Sequence, residues 1–420
     1  MSNTENKVRQ SDVEIHDWYR FVLSYPPHLV QQYLTEFNID NNSLVLDPFC
    51  GTGTTNVECK KSGIASVGVE ASPITYFASC VKCDFSADCS TGEMQADAQR
   101  IAATARENIT SSPVRHLTKE QEKLILKNSI SEQPLSETLY LRDAIYSEGS
   151  KFQDYFLLAL AKHTVQSYSN LKFGPEVGVS RKKKLQVDVV SIWLEQVLQM
   201  EQELIKYHHL ASVNSDIIHG DARNVDLAKY QGSIDCVITS PPYPNEKDYS
   251  RTTRLESVIL GFIKNKDDLR SIKKGFIRSN SKNVYKEDTD EQFIGNISSI
   301  IALSDSIERR RIELNKTSGF EKLYSRVVKL YFGGMARHLI SIKPLLKHGA
   351  MLAYVVGDQA SYFQIPIRTS QLLGEVAESI GDYTVVRIDT FRKRYATATD
   401  TWLNEDVLIL KYMGGKNEQV

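Results

Sequence analysis

Seven short apolar segments, each about the length of a β-strand, alternate with helical stretches along this chain. They lie at residues 43–55, 66–72, 216–223, 234–243, 350–358, 383–390 and 405–412. Strands that alternate with helices favour a parallel sheet with both faces covered. The predicted fold class is therefore α/β, with a seven-stranded, mostly parallel, doubly wound sheet of the Rossmann-like kind.

Two long polar stretches interrupt this alternation and are predicted to be largely helical insertions. The first spans residues 86–212, and the second, which is rich in basic residues, spans residues 249–322. The catalytic core would then be assembled from residues 11–85, 213–248 and 323–412. Because inserted segments often carry the specificity of a shared core, the second insertion is the candidate for target recognition.

The composition excludes several classes of protein. The 420 residues are 41% hydrophobic and 25% charged, with a mean hydropathy of −0.32, which argues against a disordered, collagen-like or membrane protein. No apolar run reaches the roughly 18 residues that a spanning helix needs. The first twenty residues lack the apolar region of a secretory signal. We therefore expect a cytoplasmic protein without a membrane partner.

The cysteines and the charge balance limit which binding sites the chain can carry. Cysteines in a chain without an export signal are expected to be reduced. Cys80 and Cys83 form a single C-x2-C pair, and no second Cys or His pair lies at the spacing of a zinc site, so no metal is expected. With 51 Lys and Arg against 52 Asp and Glu, any nucleic-acid surface must be a local patch.

A glycine loop follows the first strand, in the sequence LVLDPFCGTGTT. The strand carries Asp47 to the carboxyl edge of the sheet, and Gly51 and Gly53 let a ligand approach the backbone closely. A phosphate-binding P-loop needs a Lys after the second glycine, and a dinucleotide loop needs a third glycine; both are absent. A nucleoside site remains, with Glu70 at the end of the next strand binding ribose hydroxyls. The alternative is a tight turn without a ligand.

The second motif is TSPPY, directly after the apolar strand at 234–238. Pro241 and Pro242 cannot donate to a sheet ladder, so the strand must end there with a rigid backbone. The Ser240 hydroxyl, a fixed carbonyl and the Tyr243 ring would then meet at the sheet edge. These groups suit an exocyclic amine, with two acceptors for its protons and a face for its ring. As a lone motif, the segment could also be a simple proline turn.

Together these motifs resemble those of the S-adenosylmethionine-dependent DNA amino-methyltransferases, which methylate cytosine N4 or adenine N6. The residues that carry the resemblance are DPFCGTGTT, Glu70, Asp221 in HGDAR, and TSPPY. The resemblance implies a methyltransferase sheet and S-adenosylmethionine as cofactor. It implies cofactor contacts at Tyr25, Pro26, Asp47, Pro48, Phe49, Gly51, Gly53, Glu70, Asp221 and Ala222. It implies catalytic positions at Ser240, Pro241, Pro242 and Tyr243.

The chemistry follows from the amine, which is a poor nucleophile because its lone pair is delocalised into the ring. Hydrogen bonds from its protons to the Ser240 hydroxyl and the Pro241 carbonyl would localise that lone pair. Direct in-line attack on the sulfonium methyl would follow, helped chiefly by orientation. The base must leave the duplex to reach Tyr243. C5-cytosine methylation would need a thiolate nucleophile, and the chain has no Pro-Cys dipeptide to supply that motif.

The residue before the two prolines favours one base over the other. Among the enzymes that this chain resembles, N4-cytosine enzymes carry Ser there, whereas N6-adenine enzymes more often carry Asp or Asn. Ser240 therefore favours cytosine N4. Three alternatives remain: an adenine N6 enzyme, an RNA methyltransferase with the same chemistry, and an inert relative that binds nucleic acid or a partner subunit. The resemblance also implies a restriction-modification role, with a restriction or defence partner.

Double-stranded DNA as substrate requires cations near the site. Residues 245–330 contain 18 Lys and Arg against 13 Asp and Glu. The basic clusters are Arg270, Lys273, Lys274 and Arg278; Arg309 to Arg311; Arg181 to Lys184; and Arg392 to Arg394. Each cluster either contacts phosphates or forms a solvated surface. The segment after TSPPY, which includes Asp248, Tyr249 and Glu256, either closes over the base or forms surface ion pairs.

Overall fold

The computed structural model describes residues 12–20, 24–174, 176–396 and 400–414, so the predicted core boundary at residue 11 lies outside them. A seven-stranded sheet forms the centre of the molecule. The strands in chain order are β1 (Leu44–Asp47), β2 (Ala65–Glu70), β3 (Leu171–Phe173), β4 (Val177–Val179), β5 (Ser215–His219), β6 (Ile234–Thr239), β7 (Leu346–Gly357), β8 (Tyr383–Ala396) and β9 (Thr401–Tyr412). Strands β3 and β4 form a separate hairpin.

The strand order in the central sheet is β5-β2-β1-β6-β7-β9-β8. The pairs from β5 to β7 are parallel, whereas β9 runs antiparallel to both β7 and β8. This arrangement confirms the predicted α/β class with a seven-stranded, mostly parallel sheet. Along the chain, β2 follows β1 and pairs with one edge of it, and β6 later pairs with the other edge of β1. The strand order therefore reverses at β1. Ligands of open α/β sheets bind at such a switch point, beyond the carboxyl ends of the strands.

Helices cover the sheet and build both insertions. They are α1 (Pro27–Glu36), α2 (Thr54–Lys61), α3 (Pro73–Cys83), α4 (Glu93–Ser111), α5 (Lys119–Glu122), α6 (Glu132–Glu148), α7 (Gln153–His163), α8 (Val189–Tyr207), α9 (Tyr249–Thr252), α10 (Arg254–Ile259), α11 (Lys266–Lys274), α12 (Ser298–Glu313), α13 (Tyr324–Ile342) and α14 (Thr369–Ile380). Consecutive residues of β1 face opposite sides: Val45 packs in a cluster with Leu29 of α1, and Leu46 in a cluster with Met335 of α13.

The first insertion is joined to the rest of the molecule by a shared apolar core. Phe156 of α7 and Trp193 of α8 are fully buried in this core. Trp18, which precedes the glycine loop in the chain, and Leu255 of α10 enter the same cluster. The hairpin of β3 and β4 is the exception to the predicted helical composition of the insertion, because strands of three residues are too short to show a clear alternation.

Several features of the described residues bear on partners and cofactors. No helix among them is both long and apolar enough to cross a membrane. They hold no group of three or more His, Cys, Asp or Glu side chains placed to bind a metal ion. All six cysteines, at positions that the structure describes, are free thiols.

Candidate active site

One cavity of about 960 Å³ at the carboxyl edge of the sheet is lined by both sequence motifs. Its volume lies in the range of sites that hold a small molecule or cofactor. The motifs meet because β1 and β6 are parallel neighbours, with Val45 in register with Cys236. The predicted site residues that line the cavity are Tyr25, Pro26, Pro48, Phe49, Gly51, Glu70, Asp221, Ala222, Ser240, Pro241, Pro242 and Tyr243. Asp47 and Gly53 are not among its lining residues.

Asp47 instead lies buried beneath the loop and joins the motifs to one another. Its Oδ1 accepts a hydrogen bond from Thr239 Oγ1 at 2.6 Å and from the Phe49 amide at 3.1 Å. Its Oδ2 accepts a hydrogen bond from the Tyr25 hydroxyl at 3.1 Å. Burial raises the pKa of Asp47 to about 6, and these hydrogen bonds oppose the shift. The carboxylate thus positions three segments of the site.

The two glycines of the loop differ in their surroundings. Gly51 has a φ of +54°, and a Cβ there would meet no atom within 4 Å, so its backbone is open toward the cavity. Gly53 has a φ of +82° and precedes α2; a Cβ there would lie 3.1 Å from Ser79 Cβ. Both positions need the left-handed conformation that glycine adopts without strain. Gly51 borders the ligand space, whereas Gly53 shapes the turn into the helix.

Glu70 ends β2 and presents its carboxylate to the cavity. Its Oε2 accepts a hydrogen bond from the Gly51 amide at 2.9 Å, and its Oε1 accepts one from the Ser72 amide at 2.7 Å. Burial raises the pKa of Glu70 to about 7, and the backbone donors oppose this shift. A carboxylate oxygen can accept more than one hydrogen bond, so each oxygen retains capacity for a hydroxyl donor from a ligand.

Asp221 follows β5 and is held in place by an arginine that the sequence analysis did not single out. Arg223 Nη2 lies 2.6 Å from Asp221 Oδ2, and Arg223 Nε lies 2.9 Å from Asp221 Oδ1. Arg223 Nη1 donates to Asp290 Oδ2 at 2.5 Å. Asp290 belongs to the second insertion, so that insertion supports a wall of the predicted cofactor site.

The catalytic motif presents acceptors and a ring to the same space. Ser240 Oγ donates its proton to the Val355 carbonyl at 3.0 Å and lies 3.5 Å from the Tyr243 hydroxyl, so its oxygen keeps acceptor capacity for one further donor. Among the described residues, none donates a hydrogen bond to the Pro241 carbonyl. The Tyr243 ring lies against Gly357, where a Cβ would approach Tyr243 Cε2 to 3.1 Å. The absence of a side chain at Gly357 therefore lets the ring pack closely against the backbone of β7.

The segment after the motif closes one side of the cavity only in part. Tyr249 lines the cavity, and its hydroxyl accepts a hydrogen bond from the Tyr243 amide at 2.9 Å. Asp248 instead forms an ion pair with Lys273 at 2.6 Å. Glu256 is buried away from the cavity and accepts a hydrogen bond from Tyr19. Of the two alternatives for this segment, ion pairing describes Asp248, and neither Asp248 nor Glu256 lines the cavity.

Other lining residues carried no motif and were not predicted. Phe276 and Ile277 come from the second insertion, Gln359 follows β7, Phe391 lies on β8, and Glu176 belongs to the β3–β4 hairpin of the first insertion. In the sequence, these are isolated apolar or polar residues, and no spacing pattern distinguishes them.

Several basic residues that were candidates for phosphate contacts are committed within the protein. Arg278 has a side chain only 5% exposed and pairs with Asp288 at 2.9 Å. Arg311 pairs with Glu308 at 2.7 Å. Together with Lys273, these side chains have their charges satisfied internally, which does not favour phosphate contacts at these three positions.

A family model and two curated relatives match this chain, and all three are methylases or methyltransferases. Residues 2–77 match a DNA methylase family model of the N6/N4 type. The type II methyltransferase M.BsoBI from Geobacillus stearothermophilus is 23% identical over 429 residues, covering 90% of this chain and 81% of that protein. The type II methyltransferase M.AvaI from Nostoc sp. is 22% identical over 415 residues, covering 87% of this chain and 78% of that protein.

A solved structure, TrmN from Thermus thermophilus, aligns with 97% of this chain and 55% of its own at 10% identity. Its TM-score of 0.31 is too low to support an inference, so the fold assignment rests on the strand order described above. The family model and the two relatives confirm the resemblance that the motifs predict, namely to the DNA amino-methyltransferases of the N6/N4 type.

Proposed function

We propose that this protein transfers a methyl group from S-adenosylmethionine to the exocyclic N4 amine of cytosine in double-stranded DNA. The observation that carries the proposal is the single cavity lined by the glycine loop and by all four residues from Ser240 to Tyr243. The similarity to type II methyltransferases along most of the chain favours DNA over RNA as the polymer. An enzyme of this kind would act in the cytoplasm, with a restriction or defence partner.

The residues of the cavity fit this cofactor. Glu70 has two carboxylate oxygens, each with one backbone donor and remaining acceptor capacity, which suits the two hydroxyls of a ribose. The open side of Gly51 leaves room for a ligand against the backbone. Phe276 and Asp221 line the same cavity and would contact the adenine. When bound, S-adenosylmethionine supplies an electrophilic methyl group on a sulfonium centre.

Ser240 and Pro241 would orient the amine of the base. Because the Ser240 proton is directed to the Val355 carbonyl, the Ser240 oxygen can act only as an acceptor toward the cavity. The Pro241 carbonyl supplies the second acceptor on a rigid backbone. Two acceptors match the two protons of an exocyclic amine, and the Tyr243 ring offers a stacking surface. Holding the nitrogen in this orientation supplies most of the rate enhancement.

A transfer assay with product analysis tests the proposal. The purified protein is incubated with S-adenosylmethionine that carries a deuterated methyl group and with either plasmid DNA or total RNA. The polymer is then digested to nucleosides and analysed by mass spectrometry. We expect deuterated N4-methylcytosine from the DNA alone.

The other possible products decide between the alternatives. Labelled N6-methyladenine alone would reject cytosine as the target, and label in RNA alone would reject DNA. An inert nucleic-acid-binding subunit would transfer no label to either polymer. Ser240→Ala should slow transfer about 100-fold or more, because a hydrogen-bond acceptor that orients the amine is lost. Ser379→Ala removes the same hydroxyl from α14, where it bonds the Val376 carbonyl, and should have no effect.

A further inference from the structure

Two cations reach the rim of the cavity from different elements, and neither side chain is paired with another described residue. Lys247 lies four residues after the catalytic Tyr243, and Arg394 lies on β8 opposite Leu403 of β9. Both line the cavity. Among the described residues, neither side chain has a carboxylate within ion-pair distance or a hydrogen-bond partner. Such cations differ from Lys273 and Arg278, whose charges are satisfied internally.

The loop that carries Lys247 is fixed on both sides of that residue. The Glu246 carboxylate accepts hydrogen bonds from the Ser281 amide at 2.6 Å and the Ser281 hydroxyl at 2.8 Å. The carbonyl of Lys247 itself accepts a hydrogen bond from Asn280 Nδ2 at 2.9 Å. Glu246 also adopts a left-handed φ of +59°, which is a strained conformation for a non-glycine residue. The second insertion thus holds the turn that places Lys247 at the cavity.

The carboxylates near these two cations already have partners. Glu176 of the first insertion lies 3.5 Å from Arg251, and Glu405 of β9 lies 3.4 Å from Arg392. Burial and the neighbouring Arg394 lower the pKa of Lys247, whereas the charges of Glu176 and Glu405 raise it. The β3–β4 hairpin, strands β8 and β9, and the loop that carries Lys247 therefore meet at the rim. Because Glu176 and Glu405 already have partners, the positive charges of Lys247 and Arg394 are not neutralised there.

We propose that Lys247 and Arg394 bind the phosphodiester backbone of the DNA strand at the nucleotide whose base enters the cavity. This inference rests on the proposed function. A base that leaves the helix brings its own flanking phosphates to the mouth of the cavity, where the two cations stand beside the catalytic motif. A guanidinium fork suits phosphate oxygens, and an ammonium adds a point charge. The extruded nucleotide would be held by its backbone while its base lies against Tyr243.

Binding of duplex DNA as a function of salt tests this site. The probe is a duplex DNA that the wild-type protein binds, titrated between 50 and 200 mM salt with S-adenosylhomocysteine present. The variants are Lys247→Met, Arg394→Met and the double substitution. Each lost phosphate contact should make the slope of log affinity against log salt shallower by about 0.9, and should weaken binding about eightfold at 0.1 M salt.

The matched control is Lys411→Met, which removes one exposed cation from β9. Lys411 lies eight residues from Leu403 on the same strand, or about 26 Å at the usual rise of a strand, toward the opposite edge of the sheet. We expect it to keep the wild-type slope. The affinity of every variant for S-adenosylhomocysteine should match that of the wild type, which shows that the cofactor side of the cavity is intact.

Two results would overturn the site. One is a double variant with the wild-type salt slope, and the other is a Lys411→Met protein that loses as much slope as Lys247→Met. If the wild type binds duplex DNA but methylates neither DNA nor RNA, the proposed function fails. The salt slopes of the variants then still show whether Lys247 and Arg394 bind phosphate. If the wild type binds no duplex DNA, both proposals fail.

Discussion

Glu70 is the residue whose protonation we expect to control how the cavity binds a nucleoside. Burial raises the pKa of this carboxyl to about 7, so near neutral pH the ligand-free protein contains both the protonated and the ionised form. The ionised form accepts hydrogen bonds from both hydroxyls of a ribose, whereas the protonated form loses acceptor capacity at one oxygen. Ligand binding should therefore favour the ionised form.

This predicts that affinity for S-adenosylhomocysteine rises with pH. Below pH 7 the ligand must displace a proton from Glu70, so binding should be about tenfold weaker at pH 6 than at pH 8, where the carboxyl is already ionised. Isothermal titration calorimetry at both pH values measures the ratio. Glu70→Gln should bind weakly at both and lose most of the tenfold difference. A wild-type protein with equal affinity at pH 6 and pH 8 would contradict this role.

Most of the residues that sequence reasoning assigned to the site line the cavity, because each motif follows a strand at the carboxyl edge of the sheet. It placed Asp47 and Gly53 at the ligand as well, whereas the structure buries Asp47 beneath the loop and Gly53 at the turn into α2. It also missed Arg223 and Phe276. A buried acid that joins two strands has the same sequence signature as one that contacts a ligand. A residue such as Phe276, which an insertion contributes to the cavity wall, belongs to no motif, so the sequence does not mark it.

At the scale of elements, helix α13 approaches the second insertion so closely that one glycine cannot be replaced. A Cβ on Gly333 would lie 1.9 Å from the Asp290 carbonyl oxygen, whereas a Cβ on Gly334 would come no closer than 3.4 Å to any atom. Asp290 accepts hydrogen bonds from Arg223 and also from Arg337 Nη1 at 3.2 Å. The glycine therefore lets the helix pack against the residue that anchors the wall of the cofactor site.

Gly333→Ala should destabilise the protein by about 1 to 3 kcal/mol, because the added methyl group must push aside a buried backbone segment. Gly334→Ala makes the same change one residue away and should be neutral, or stabilising by up to about 1 kcal/mol through helix propensity. Urea unfolding gives both values. Movement of Asp290 should also weaken binding of S-adenosylhomocysteine in the first variant only. Equal stability of the two variants would show that the close approach is not a real constraint.

The apolar parts of the last two strands were predicted correctly, whereas their polar extensions were missed. The sixth and seventh predicted strands covered 383–390 and 405–412, but β8 continues to Ala396 and β9 begins at Thr401. The added residues include Arg392, Lys393 and Arg394, which rise past the end of β7 and face solvent or the cavity. Because no apolar core covers them, the hydrophobic alternation that marks a strand is absent there.

At the scale of the whole molecule, both insertions hold the segment that precedes the glycine loop. Trp18 Nε1 donates to Glu203 of α8 in the first insertion at 2.7 Å. Tyr19 donates its hydroxyl proton to Glu256 of α10 at 2.5 Å. The sequence predicted insertions attached to a core, but these long-range contacts could not be read from it. The insertions therefore hold the segment that leads into the glycine loop.

The central claim is that the glycine loop and TSPPY act together on one base of DNA, and a pair of Tyr243 variants provides its control. Tyr243→Ala removes the stacking surface and should cost about 1 to 3 kcal/mol of base binding. Tyr243→Phe keeps the ring against Gly357 and should retain most of the activity. Both variants should bind S-adenosylhomocysteine like the wild type, since the glycine loop is unchanged.

Long-read modification mapping of DNA from cells that express the wild type or either variant tests the claim most directly. We predict N4-methylcytosine in a defined sequence context with the wild-type protein and with Tyr243→Phe, and a strongly reduced mark with Tyr243→Ala. Genomic DNA that carries no new mark with the wild-type protein, or a mark that Tyr243→Ala leaves at full level, would contradict the claim.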